Sequence, residues 1–147
     1  MKICISSEES IGVGNKTNKI YSFLEPILNK LCKNNYGLEF ELISIIPTIM
    51  EDEFLDEDWK ERRLVRPKSK DADIRLIMDY DKFVKADENG RLLLYVKMLV
   101  DAIKIVDAKK KGDFNGEKLI EDLLATIKIK WEDIKDLEEL DARYSKL

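Results

Sequence analysis

Residues 72–80 read Ala72-Asp73-Ile74-Arg75-Leu76-Ile77-Met78-Asp79-Tyr80. Large apolar side chains recur at every second position, and three of the positions between them are charged. Because successive side chains of a strand point to opposite faces, this period of two predicts a strand with one buried face. The rest of the chain must therefore supply further strands beside it and a layer that covers its apolar face.

Two more strands and a helix are predicted on the N-terminal side. Met1–Ser6 alternates around two isoleucines, and Leu38–Ile46 alternates before Pro47 ends it. The buried side of the second strand is predicted to be Leu38, Phe40 and Leu42. Between the two strands, a loop over residues 7–18 precedes a helix at about Lys19–Lys33, whose apolar residues follow helical spacing. Pro26 lies inside this helix, so either the helix kinks there or its regular part starts near Ser22.

The remaining elements are a short strand and several helices. Arg62–Arg66 is predicted to be an edge strand, and Arg91–Lys110 a central helix, because apolar residues cover most of its circumference. Asp113 or Asn115 is expected to cap the next helix, and the tail from Trp131 has approximately helical spacing. This order predicts an α+β fold, with a small mixed or antiparallel sheet of three to four strands in a meander and helices packed mainly on one face.

Length and charge limit the classes of function. At 147 residues the chain is predicted to be a single domain, with 128–147 as a C-terminal extension. A net charge of −4 and an isoelectric point of about 5.1 make it a poor ligand for nucleic acid or anionic membranes. Two cysteines and the lack of an export signal at the N-terminus lead us to expect a cytoplasmic protein.

Catalysis is disfavoured because the sequence contains no histidine, the commonest general acid–base and metal ligand. Gly12–Thr17 resembles a phosphate-binding loop, but Asn15 separates the glycine from the lysine, so we expect a connecting loop. Asp79 and Asp81 lie at a strand end, where carboxylates can act in catalysis but more commonly cap or turn the chain. We predict no enzyme activity, no cofactor and no metal site.

The most unusual segment is Glu51–Asp58, in which six of eight residues are acidic. Gathering like charges weakens the compact state, whereas carboxylates beside aromatic rings suit docking onto a basic protein. A solvated acidic loop, or pairing with the basic cluster Arg62–Lys70, is the structural alternative, and Glu132–Asp141 is a rival acidic surface. The predicted partner-binding residues are Glu51, Asp52, Glu53, Phe54, Asp56, Glu57, Asp58 and Trp59.

Several short motifs resemble the Immunity protein 44 family, whose members are antidotes encoded beside bacterial polymorphic toxins. The resemblance covers about residues 1–125, includes the order of the later helices, and is carried by Met1-Lys2-Ile3-x-Ile5-Ser6, Ile46-Pro47-x-Ile49-Met50-x-x-Glu53-Phe54, and Asp73-x-Arg75-Leu76-x-x-Asp79-Tyr80 followed by Phe83. It implies a non-enzymatic protein that binds the C-terminal domain of a cognate toxin in contact-dependent competition. An acidic inhibitor would suit a nuclease, which is basic where it holds phosphate.

Two other functions stay open at this point. One is a regulatory or adaptor module that binds a host protein unrelated to any toxin. The other is a small enzyme built on carboxylates such as Asp79 and Asp81, or on lysine or tyrosine.

Overall fold

The computed structural model describes residues 1–5, 8–9, 14–50, 64–66 and 70–137. The elements run in the order β1 (Lys2–Ile5), β2 (Glu8–Glu9), α1 (Gly14–Leu31), β3 (Leu42–Met50), β4 (Leu64–Arg66), β5 (Asp71–Asp79), α2 (Tyr80–Lys85), α3 (Glu88–Lys109), α4 (Gly116–Ile127) and α5 (Trp131–Ile134), and a 3-10 turn at Lys135–Leu137 follows.

The sheet is built on the three parallel strands β1, β3 and β5, in the spatial order β1-β3-β5. The short β2 extends the pairing along β3, and the three-residue β4 pairs antiparallel with β5 at the edge. The α+β class is confirmed, but the predicted meander is wrong because the principal strands are parallel. Parallel neighbours need a crossover, and α1 supplies it between β1 and β3.

The strand β5 agrees with the prediction except at its end, because Tyr80, the predicted last residue, begins α2, a helix that was not predicted. Ala72, Ile74, Leu76 and Met78 are buried, and they lie level with buried residues of β3. The helices α1, α2 and α3 contact strands of the sheet, and α4 packs against α1 and α3. Leu24, Leu28 and the middle of α3 are fully buried. The core therefore lies between the sheet and the helices and continues between α4 and the helices that it contacts.

The strand β3 differs from its prediction in position and in phase. It begins at Leu42, continues through Pro47 to Met50, and buries Ile43, Ile45 and Ile49. The predicted inward residue Leu38 is 80% exposed, because it precedes the strand. Pro47 is tolerated since it falls between the part of β3 that pairs with β1 and the part that pairs with β2.

The helix α1 begins at Gly14, about five residues before its predicted start, and runs unbroken past Pro26. The expected connecting loop Gly12–Thr17 is therefore partly helical, and Ser22 does not start the helix. Pro26 and Ser22, four residues earlier, are both exposed, so the carbonyl that loses its partner lies on the solvent side. None of the described helices is long and apolar enough to span a membrane.

Candidate partner-binding surface

The predicted contact segment Glu51–Trp59 lies outside the described residues, and so do most residues of the basic cluster Arg62–Lys70. The structure describes the two ends from which the segment is held: Met50 ends β3, and Leu64 begins β4. In this cluster, Lys70 carries a described side chain, and its Nζ lies 3.9 Å from Oε1 of Glu41 at the surface.

In the rival acidic stretch Glu132–Asp141, the structure describes residues 132–137, and some of these residues pack against the rest of the protein. Glu132 and Asp136 are exposed, but Trp131 and Ile134 face α3 and the core. The ammonium group of Lys104 lies 4.1 Å from the centre of the Trp131 ring, and that of Lys97 lies 5.8 Å from it. These cation–π contacts hold the partly buried Trp131 ring, which precedes this stretch, against α3.

Lys97 itself is 3% exposed and lies in the middle of α3. Its ammonium group is paired with the carboxylate of Asp101, one turn further along the helix. A buried charge needs such a partner, since an isolated ammonium group in an apolar environment carries a large desolvation cost. The Trp131 ring completes the enclosure of this lysine.

A network of hydrogen bonds joins the loop before β3 to the loop between α3 and α4. Oδ1 of Asp113 accepts from the backbone amides of Leu38 at 2.9 Å and Glu39 at 3.1 Å. In the other direction, the Glu39 carboxylate accepts from the backbone amides of Lys111 at 2.5 Å and Phe114 at 3.3 Å. The Asp113 carboxylate therefore joins the two loops and does not cap α4. Asn115 is the cap, and its Oδ1 accepts from Lys118 N at 3.1 Å. The network joins the loop that carries the exposed Leu38 to the loop before α4.

The interloop network continues to α4 through Tyr36. Its hydroxyl donates to Asp122 at 2.8 Å, and Asp122 also pairs with Lys118. Burial, and then the hydrogen bond to Asp122, raises the pKa of Tyr36 to about 12. The same hydrogen bond, with that of Lys118, lowers the pKa of the Asp122 carboxyl.

The face of the sheet opposite the helices is only partly buried. Its described apolar residues Cys4, Leu42 and Ile46 lie outside the hydrophobic core. Asp73 lies on this face beside Ser44 of β3 and Leu64 of β4. Oδ1 of Asp73 is buried, and no donor among the described residues lies within hydrogen-bonding distance of it. In the sequence, Asp73 is a polar position in the alternation of β5 and the first residue of one of the motifs that carry the family resemblance.

The two carboxylates considered for catalysis, Asp79 and Asp81, are only partly described. Asp81 is exposed in the first turn of α2, and the side chain of Asp79 is not among those that the structure describes. No three described cysteine, aspartate or glutamate side chains are placed to hold a metal ion. Burial raises the pKa of the Cys32 thiol to about 11, so this thiol stays protonated and unreactive near neutral pH.

Comparison with known protein families decides the relationship. The family model for Immunity protein 44 matches residues 1–129 of the 147. This chain belongs to the Immunity protein 44 family. Membership implies a toxin-neutralising function exerted by binding a cognate toxin protein, and immunity proteins are generally not enzymes. Searches of the curated proteins and of the solved structures found no match.

The match leaves the C-terminal residues 130–147 outside it. It ends at Ile129, where the chain has just turned at the left-handed residue Lys128 after α4. Trp131, Ile134 and Leu137 follow and pack against the core. In this Immunity protein 44 member, residues 130–137, which lie beyond the match, therefore form part of the folded structure.

Proposed function

We propose that this Immunity protein 44 member neutralises the C-terminal domain of a polymorphic toxin in the cytoplasm by covering a basic surface on it. The family match is the observation that carries the toxin-binding function. The toxin class that best fits is a nuclease, because a surface that holds phosphate is basic and an acidic protein can occupy it. The delivery route consistent with this family resemblance is contact-dependent inhibition between neighbouring bacteria.

The proposed contact surface is Glu51–Asp58 with Phe54 and Trp59 as apolar anchors. Carboxylates steer a basic partner and raise the association rate, whereas buried aromatic rings slow dissociation. The described surface offers few competing anchors. Among the aromatic residues whose burial is described, only Phe23 is largely exposed, at 50%. Trp131, which precedes the rival acidic stretch, has its ring in contact with Lys97 and Lys104 of α3.

The test is a set of three triple charge reversals with equal change in net charge. Asp56, Glu57 and Asp58 are changed to lysine in the first variant, and Glu132, Asp133 and Asp136 in the second. The third changes three residues exposed on three different helices, namely Asp81, Glu88 and Glu121. Circular dichroism confirms folding, and calorimetry or surface plasmon resonance with the toxin domain encoded upstream measures Kd at two salt concentrations.

We expect the first variant alone to lose most of its affinity and to show a weaker dependence on salt. A loss confined to the second variant would move the surface to the C-terminal acidic stretch. Equal losses in all three would mean that only net charge matters. Failure of the wild-type chain to bind the toxin domain, or to rescue growth when the two are co-expressed, would refute the proposed function.

A further inference from the structure

We propose that residues 130–137 form a strap that opens from α3 as a unit while the rest of the domain stays folded, and that this opening exposes the buried Lys97–Asp101 ion pair. The strap begins after the left-handed turn at Lys128 and includes α5 and the 3-10 turn. This inference concerns the protein without its partner and does not rest on toxin binding.

The first argument is how the strap is attached. Its two elements, α5 and the 3-10 turn, have their principal contacts with α3 and with each other. The hydrogen bond from Lys135 N to Trp131 O lies within the strap, and a helix of four residues has no stability of its own. The closed position therefore depends on the packing of Trp131, Ile134 and Leu137 against the core. Opening would break contacts mainly with one helix and leave the sheet in place.

The second argument is the connection between the strap and α4. Lys128 is exposed, and its φ of +59° turns the chain away from the helix. Two backbone hydrogen bonds hold this turn, from Lys128 N to Ala125 O at 3.4 Å and from Ile129 N to Leu124 O at 3.1 Å. Since hinges are a few residues at the ends of elements that absorb changes in φ and ψ, residues 128–130 are placed to act as one.

The third argument is what the strap covers. The Lys97 side chain is 4% exposed and that of Asp101 is 19% exposed, with the Trp131 ring beside the ammonium group. Burying an ion pair carries a desolvation cost that the attraction between the charges offsets only in part. Opening returns both charges to water, so it recovers part of the free energy lost with the apolar contacts of the strap. The strap is therefore held less tightly than it would be over apolar side chains.

Two probes measure the opening in the full-length protein. Hydrogen exchange of the Lys135 backbone amide reports on the strap. Acetylation by a low dose of acetic anhydride, mapped by peptide mass spectrometry, reports on access to the Lys97 amine, with the exposed Lys104 on the same helix as reference. We expect Lys97 to react at least about 100-fold more slowly than Lys104, and the Lys135 amide to be at least about 10-fold less protected than the most protected amides of β5.

Urea below the unfolding transition separates opening of the strap from unfolding of the domain. Exchange of the most protected β5 amides should accelerate steeply with urea, because global unfolding exposes a large surface. Exchange at Lys135 and acetylation of Lys97 should depend on urea only weakly, since few residues become exposed. Trp131→Ala should accelerate both probes at least about 10-fold by removing the ring that packs on α3.

Ile45→Val is the matched control, because Ile45 is fully buried in β3. Loss of one methylene group there should accelerate exchange of the β5 amides by about 2–12-fold and leave both probes of the strap at their wild-type rates. The inference is overturned if Lys135 and Lys97 show the same urea dependence as the β5 amides, since the strap would then leave only when the whole domain unfolds. It is also overturned if Lys97 reacts as fast as Lys104 in wild type, or if Trp131→Ala changes neither probe.

Discussion

Substituting Ile134 by alanine should destabilise this protein, although Ile134 lies beyond residues 1–129 matched by the family model. The side chain is fully buried, and the short helix α5 that carries it packs against α3. Trp131 beside it is held by Lys104 and Lys97. The substitution deletes three carbon atoms from a filled site and leaves the surrounding backbone in place.

The size of the effect follows from burial. Replacing a fully buried isoleucine by alanine costs about 2–5 kcal/mol through lost transfer free energy and the cavity that remains. We expect about 3 kcal/mol, toward the lower end, because α5 spans only four residues and can move partly into the cavity. For a chain of this length each kcal/mol shifts the thermal midpoint by about 2–4 °C, so the midpoint should fall by about 6–12 °C.

Thermal and urea denaturation followed by circular dichroism measure this change. Glu132→Ala is the matched control, because Glu132 is exposed on the same helix, and its effect should stay within about 0.5 kcal/mol. A midpoint for Ile134→Ala within about 1 °C of wild type would refute the reasoning. It would mean that residues 130–137 do not contribute to the stability of the core and behave as a dispensable extension.

Three further predictions concern the interloop network. Asp113→Ala removes two backbone hydrogen bonds and should cost about 1–3 kcal/mol in urea denaturation, whereas Glu41→Ala, at the exposed pair with Lys70, should change stability by less than about 0.5 kcal/mol. Gly37→Ala should cost about 2 kcal/mol or more by the same measurement, because Gly37 has φ +108° and a Cβ there would lie 2.8 Å from the carbonyl carbon of Asp113; a wild-type urea midpoint would contradict this. Tyr36 has a pKa of about 12 in the fold and 10.0 in the unfolded chain, so wild type should lose stability as pH rises from 10 to 12, and Tyr36→Phe should lose less over that range. The pKa of Asp122 is lowered, so its contribution is present above its unfolded value of 3.8 and disappears in acid; equal pH profiles for wild type and Tyr36→Phe at both ends would contradict the assigned hydrogen bond.

The strand β5 was predictable because one face is apolar throughout and three of the four positions between are charged. The phase of β3 was not, because apolar residues occupy both faces of that strand, and Leu42 and Ile43 are equally plausible core residues from sequence. The structure resolves this through pairing, which places Ile43 beside Ile3 and Ala72 on the helix side. Pairing partners far apart in sequence leave no trace in a local pattern.

The candidate binding surface was also predictable from the sequence only in part. Charge density along the chain was enough to identify Glu51–Asp58 as unusual, and the family motifs were enough to predict the relationship that the match over residues 1–129 confirmed. Asp73 opens one of those motifs, but the alternation of β5 does not separate it from an ordinary solvent-facing strand residue. Its distinguishing property, a shielded oxygen without a described donor, depends on which strands lie beside it.

By itself, the sequence determined the α+β class, the buried face of β5, the apolar character of α3 and the acidic balance of the chain. These properties depend on local periodicity and composition, which the fold inherits directly. Only the tertiary structure decided that β1, β3 and β5 run parallel, that Leu38 is exposed, and that Trp131 encloses Lys97. Each of these depends on contacts between residues distant in sequence, and the free energy of such contacts arises only when the chain is folded.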